Sequence, residues 1–325
     1  MTHMARPGSV TIGARTLSLP IFFPSISSVK TALPPQEYIQ FLAPLTSLVN
    51  QFLVSAFDLA SLASPQNALV AIARARNDGA VTLMDSGNYE SFWKNAQAQW
   101  TQERFHNVLA KFPFDLAFGF DEQSPPAERR EHVALIVKRW ELDQRAAGEC
   151  QIIPIVHSSP EDLPSLCAAI AKETGVPMIA VAERRLGDGV FHRFETVKAI
   201  RRELNTLERY VTLHLLGTGN PISIASYAIA GADSFDGLEW CQTVVDHESG
   251  LLHHLSHADF FSGQTEWADA DLSFQARTLA HNLEFFSEWM CRLRDAINQG
   301  RTSDFCRLHF SPRVFQHLAL RAGWI

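Results

Sequence analysis

The chain has 325 residues, 46% of them hydrophobic and 19% charged, enough to bury one large core or two smaller ones. A formal net charge of −7 excludes a surface that as a whole attracts polyanions. The five cysteines (Cys150, Cys167, Cys241, Cys291, Cys306) stand at neither metal-ligand nor disulfide-framework spacing, so reduced thiols and a cytoplasmic location are expected. The N-terminal residues lack the apolar stretch of a signal peptide. No segment approaches the length of a membrane span, so no membrane partner is expected.

Short apolar runs recur along the chain, at 19–24 (LPIFFP), 51–56 (QFLVSA), 80–84 (AVTLM), 115–120 (DLAFGF), 151–156 (QIIPIV), 176–181 (VPMIAV), 210–216 (YVTLHLL) and 231–235 (GADSF). Each is read as a strand. Between them lie segments at 34–50, 64–78, 103–112, 127–145, 159–174 and 192–209, several opening with proline and carrying apolar residues at i, i+3, i+4 spacing, which predicts helices. Continuous apolar strands alternating with helices predict a parallel sheet covered by helices. Eight such units in roughly 250 residues predict a (β/α)8 TIM barrel, with an open doubly wound sheet as the alternative. The segment 275–300 predicts a long helix ending at Gly300. The expected organisation is one domain over 1–325: a barrel core over approximately 15–240, a loop region over 241–274 and a C-terminal helical segment over 275–325.

In a barrel, chemistry sits where the strands end. The residues following the runs are Asp58, Asp85, Asp121 with Glu122, His157 with Ser158, Glu183, the Gly-Thr-Gly-Asn-Pro of 217–221, and Asp236. A single aspartate after a strand is ordinarily a helix cap or turn residue, and Asp58 and Glu122 are read that way. Convergence of the rest on one mouth has to be explained chemically, because closely spaced carboxylates repel unless they share a proton, a cation or a donor-rich ligand.

An ordered series of motifs resembles the tRNA-guanine transglycosylases and their DNA-modifying relatives, which exchange guanine for a 7-deazaguanine. "LPIFFPSISSVKT" is similar to the family's opening strand, "MDSGNYES" to its Asp-Ser-Gly-Gly-Tyr/Phe segment, and "FGFDEQSPP" to its Phe-Asp-Glu-x-x-Pro segment. "MIAVAERRLG" resembles its Ala-Val-Gly-Glu loop. "HLLGTGNPISIASYAIAGADSFDGLEW" resembles its Leu-Met-Gly-Val-Gly-x-Pro stretch with the nucleophile behind it, and "LAHNLEFFSEWMCRLRDAINQGR" its C-terminal helix. The resemblance covers most of the chain. It implies Asp236 as the nucleophile on C1′ and Asp85 as the acid–base carboxylate. It also implies Asp121 as reader of the guanine edge, Tyr89 and Leu216 as the stacking faces, and Ser86 and Gly87 as the turn forming the pocket. Backbone amides of 216–219, including Gly217, and the peptide of 181–183, ending at Glu183, are implied to meet the base's carbonyl and its 7-substituent. His157 stands where the family usually carries a glutamine.

Two departures stand out. The family's Cys-x-Cys-x-x-Cys and distant histidine are absent, so no cofactor and no structural zinc are expected, although His247, His253, His254 and His257 offer imidazoles and a metal there stays open; surface histidines on a loop are the plainer reading. From Tyr210 to Ala276 there is no lysine or arginine, where the tRNA enzymes carry a basic segment, and nucleic-acid affinity rests largely on neutralising phosphates. Arg184 and Arg185 follow a strand end and are the better phosphate candidates; the basic residues of 127–139 and 198–209 are read as solvated helix faces. The expected activity is therefore base exchange on a polynucleotide, DNA favoured over tRNA, inserting a 7-deazaguanine such as preQ0, with a helper protein as a possible partner. A divergent tRNA enzyme and a non-catalytic partner subunit are the alternatives, the last disfavoured by the presence of both Asp85 and Asp236.

Overall fold

The computed structural model describes residues 5–325. Nine parallel strands form one sheet: β1 (Ile21–Ile26), β2 (Gln51–Ser55), β3 (Val81–Asp85), β4 (Leu116–Phe118), β5 (Gln151–Ile153), β6 (Ile155–Val156), β7 (Met178–Ala182), β8 (Thr212–Leu216) and β9 (Ser234–Gly237). Their spatial order is β5-β4-β3-β2-β1-β9-β8-β7-β6. The two outermost strands are consecutive in the chain, separated only by Pro154, which has no N–H for a ladder. β5 pairs with β4 and β6 with β7, so the sheet comes round nearly to closure. The result is a mixed α/β, TIM-barrel-like architecture with helices around the sheet. Each predicted strand run overlaps a strand, and the run 151–156 holds two, β5 and β6.

Side chains alternate along each strand. Ile21, Phe23, Leu53, Leu83, Leu116, Phe118, Ile153, Ile155, Met178 and Ala180 form one buried cluster inside the sheet. The alternate set, among them Phe22, Val54, Met84, Ile179, Leu213 and Phe235, packs outward on the helices in a larger cluster. A hairpin of Ser9–Ile12 and Arg15–Ser18, which the apolar runs did not announce, adds Ile12 and Leu17 to the inner cluster and so closes the N-terminal end of the strands.

The helices follow the periodicity of the sequence: Pro65–Asn77, Gln102–Lys111, Arg129–Ala146, Leu163–Thr174 and Gly189–Leu204. After β9 come a one-turn helix, Glu239–Gln242, and a hairpin of Thr243–Val245 with Leu252–His254. Asn282, on the long helix Phe274–Asn298, holds this segment by donating to Trp240 and Thr243 carbonyls and accepting from Val245 N–H. Helices Thr302–His309 and Pro312–Ala322 complete the chain. Among the described residues no helix is long and apolar enough to cross a membrane.

Candidate active site

The alternation that puts Phe23, Leu83, Ile155 and Ala180 inside the sheet sends Ser25, Asp85, His157 and Ala182, two residues further on, to the C-terminal mouth. There a cavity of about 580 Å³ opens, lined among others by Ser25, Asp85, Ser86, Tyr89, Glu90, Asp121, His157, Glu183, Leu216, Gly217, Asp236 and Glu239. Gly87, implied as part of the pocket turn, and Arg185, the second phosphate candidate, are not on its wall. Gly87 stands behind it: its φ of 84° is left-handed, and a Cβ there would lie 2.6 Å from Phe57, so only glycine turns the chain sharply enough to bring Tyr89 over the mouth.

Asp236 is held by three donors. Ser25 Oγ donates to Oδ2 at 2.8 Å, while His214 Nε2 at 3.0 Å and the Gly217 N–H at 3.1 Å meet Oδ1. Gly217's amide is thus already engaged by Asp236. His214 Nδ1 lies 2.7 Å from Ser234 Oγ. A neutral imidazole satisfies both bonds in one tautomer, with the Ser234 hydroxyl donating to Nδ1 and Nε2–H donating to the carboxylate.

Asp85 closes β3 and accepts from Gly87 N–H at 2.9 Å. Burial, and then the charge of Glu90, hold its carboxyl well above the ordinary carboxylate range. Glu90 accepts from Ser27 Oγ at 2.5 Å and Ser55 Oγ at 2.7 Å; burial and then Asp58 push it up to about 7. Asp58 is no helix cap. It accepts from Ser28 N–H at 2.7 Å and from the Ser28 hydroxyl, with Lys94 Nζ 3.7 Å away. Glu122, by contrast, accepts from Ser124 N–H in a turn and from Arg139.

Asp121 is the opposite case. Burial works against its charge, yet the bond from His157, whose Nε2 is 2.5 Å from Oδ2, and that from Asn88 at 2.6 Å hold it below the ordinary range. Ser86 Oγ also donates to it at 3.1 Å, and Gln123 Nε2 donates to Oδ2. Gln123 in turn accepts from Arg184 at 3.0 Å. Glu183 is tied to Arg193 at 2.9 Å and Tyr227 at 3.1 Å, which leaves its backbone rather than its carboxylate for a ligand.

Glu90, His214, Ser25 and Glu239 escaped the reading of strand ends. Burial, then the charges of Asp236 and Glu183, push Glu239 up to about 7. His214 carried a signal: an imidazole inside the apolar run Thr-Leu-His-Leu-Leu, in register with the inward positions. The histidines of the 247–257 loop are spread out. His247 packs at a tilt against His281 and His253 against Phe261, while His254 meets Ser256. Among the described residues no three His, Cys, Asp or Glu side chains are grouped to hold a metal ion.

No protein-family model matches the chain.

Proposed function

We propose that the chain is a guanine transglycosylase of the tRNA-guanine transglycosylase superfamily. It exchanges guanine in a polynucleotide, DNA in preference to tRNA, for a 7-deazaguanine such as preQ0. The carrying observation is that two carboxyls in one cavity sit in opposed environments: Asp236 is fixed by three donors, and Asp85 is held toward its protonated form. A carboxyl kept toward its protonated form can serve as the acid, and a carboxylate fixed in place by donors beside it can serve as the nucleophile. On this reading the strand interrupted at Pro154 counts once, giving a (β/α)8 barrel over approximately 15–240, followed by the 241–274 segment and a C-terminal helical extension over 275–325.

The exchange runs as two displacements. An Asp236 oxygen bonds to C1′ as the C1′–N9 bond breaks; the bonding pair leaves with guanine, and Asp85 gives its proton to a ring nitrogen. In the return step Asp85, now a carboxylate, takes the N9 proton of the incoming base, whose N9 displaces Asp236 from C1′. Asp121 accepts the paired N1–H and N2–H donors of the base, taking the place of Gln123. Displacing Gln123 frees the Arg184 guanidinium to meet a phosphate. Tyr89 and Leu216 cover the two faces of the base. No metal or cofactor takes part.

The absence of lysine and arginine from 210 to 276 supports a substrate other than the anticodon stem and a grip supplemented by a helper protein. The test offers labelled preQ0 to the chain with matched DNA and tRNA, with and without cell extract. Incorporation into DNA, raised by the extract, is expected. Efficient incorporation into tRNA by the isolated chain, and none into DNA under either condition, would reverse the choice of substrate.

A further inference from the structure

The cavity has a rim of which the exchange chemistry uses only Tyr89 and Arg184. On the short helix Asn88–Trp93 three rings stay in solvent: Tyr89 is 38% exposed, Trp93 48% and Phe92 57%. They meet edge to face, Tyr89 and Phe92 lying 6.3 Å and 5.8 Å from Trp93 between centroids. Tyr89 and Phe92 also line the cavity, so the patch is continuous with the site. Cations flank it. Lys30 Nζ lies 4.2 Å from the Trp93 ring centre and shares the cavity wall. Its backbone is held at φ 57°, uncommon for a residue with a side chain, and Gln242 fixes it by donating to its carbonyl at 3.0 Å. Arg184, exposed on the cavity wall, is close enough to act electrostatically on Tyr89.

We propose that this rim is a stacking platform for the unpaired nucleotides beside the target guanine in a single-stranded stretch of DNA. Phe92 and Trp93 take base faces, and Lys30 and Arg184 take phosphates. The proposal rests on the transglycosylase reading and deepens it. Aromatic faces bind any base whose own face is free, whereas a duplex keeps those faces stacked on one another. With few cations nearby and none between 210 and 276, phosphate contacts alone give a weak grip, so stacking supplies the missing affinity.

The test titrates the full chain with a labelled oligodeoxynucleotide of thymines around one guanine, as single strand, as duplex and as the matching RNA. Free guanine is titrated in parallel by calorimetry. The single strand is expected to bind more tightly than the duplex and at least as tightly as the RNA. Phe92→Ala combined with Trp93→Ala should weaken single-strand binding about tenfold or more without changing guanine affinity, and Trp93→Phe, which keeps a ring, should retain most of it. Lys30→Ala should lower the slope of log affinity against log salt by about 0.7. Unchanged oligonucleotide affinity in the double variant, preference for duplex or RNA, or a chain dimer that the double variant dissolves would each overturn the platform. If guanine fails to bind while the double variant still loses the oligonucleotide, the platform stands and the exchange reading falls.

Discussion

The two ends of the sheet bury the same residue type and treat it in opposite ways. At the N-terminal end Asp115 and Asp233 each meet two arginines. Arg15 and Arg76 both reach Asp115 at 2.8 Å, and Arg6 and Arg201 reach Asp233 at 2.7 and 2.5 Å. Asp115 also takes Thr82 N–H, and Asp233 takes Leu213 N–H and the Tyr210 hydroxyl. Arg15 and Arg6 join the N-terminal segment to the strands across 100 and 227 residues of sequence. At the C-terminal mouth, Asp85, Glu90, Asp236 and Glu239 meet hydroxyls, amides and one imidazole, and among the described residues none is paired with lysine or arginine. A buried carboxylate with its countercharge in place is structural. Buried carboxyls without one, gathered around a cavity, are available for chemistry, and burial holds Asp85, Glu90 and Glu239 above their ordinary range.

The sharpest way to break this contrast is to change one aspartate at each end. Asp236→Asn should abolish base exchange, by about a thousandfold or more, in a protein that melts near the parent temperature. Asp233→Asn should do the reverse, costing about 3–5 kcal/mol of stability by stranding two buried arginines, as denaturant titration would measure. A folded Asp236→Asn variant with near-normal exchange, or an Asp233→Asn variant of parental stability, would erase the distinction between the two ends.

Within the mouth, Asp121 is the carboxylate that donors keep charged. Asp121→Asn presents an amide donor to the donors of guanine, and such a mismatch costs about 1–3 kcal/mol. Guanine affinity measured by calorimetry should fall at least several-fold; an unchanged value would remove Asp121 from base recognition.

Glu90 gives the pH signature. Its folded value of about 7 lies above the ordinary 4.5, so between those values the folded chain keeps a proton that the unfolded chain has lost. Its contribution is therefore fully present below about 4.5 and is lost as pH rises toward about 7. Glu90→Gln should remove that loss, worth roughly 2–3 kcal/mol. Urea titrations at about pH 5 and about pH 8 should show a smaller difference in the variant than in the parent. An equal or larger difference would mean that Glu90 is not held in its neutral form.

The smallest expected effect is none: chelators should leave the melting temperature unchanged, and metal analysis should find well under one zinc per chain. A stoichiometric zinc on Cys241 and the nearby histidines would contradict this.

The strands were legible because runs such as 51–56 and 176–181 are apolar on both faces, as a helix-covered parallel sheet requires. The carboxylates Asp85, Asp121 and Asp236 were legible because each lies at or just past the end of such a run. Glu90 was not, since on a short helix a glutamate reads as the solvent face, and only the folded chain brings Ser27 and Ser55 to it. Ser25 directly follows the run 19–24, where a small hydroxyl passes as a turn residue, although the strand itself continues to Ile26. The break at Pro154 was read through because Ile152, Ile153, Ile155 and Val156 flank it as one apolar run, although a proline without an N–H was the signal for it. The four arginines of the N-terminal end come from distant positions, so their pairing with Asp115 and Asp233 exists only after folding.

The most direct test of the central claim is mass spectrometry of the chain after brief incubation with a guanine-containing oligodeoxynucleotide, quenched in acid. The account predicts a species equal to chain plus oligonucleotide less one guanine, with the link mapped to the peptide carrying Asp236 and absent from Asp236→Asn. Exchange of labelled base into the oligonucleotide with no such species, or with the link on another residue, would contradict it.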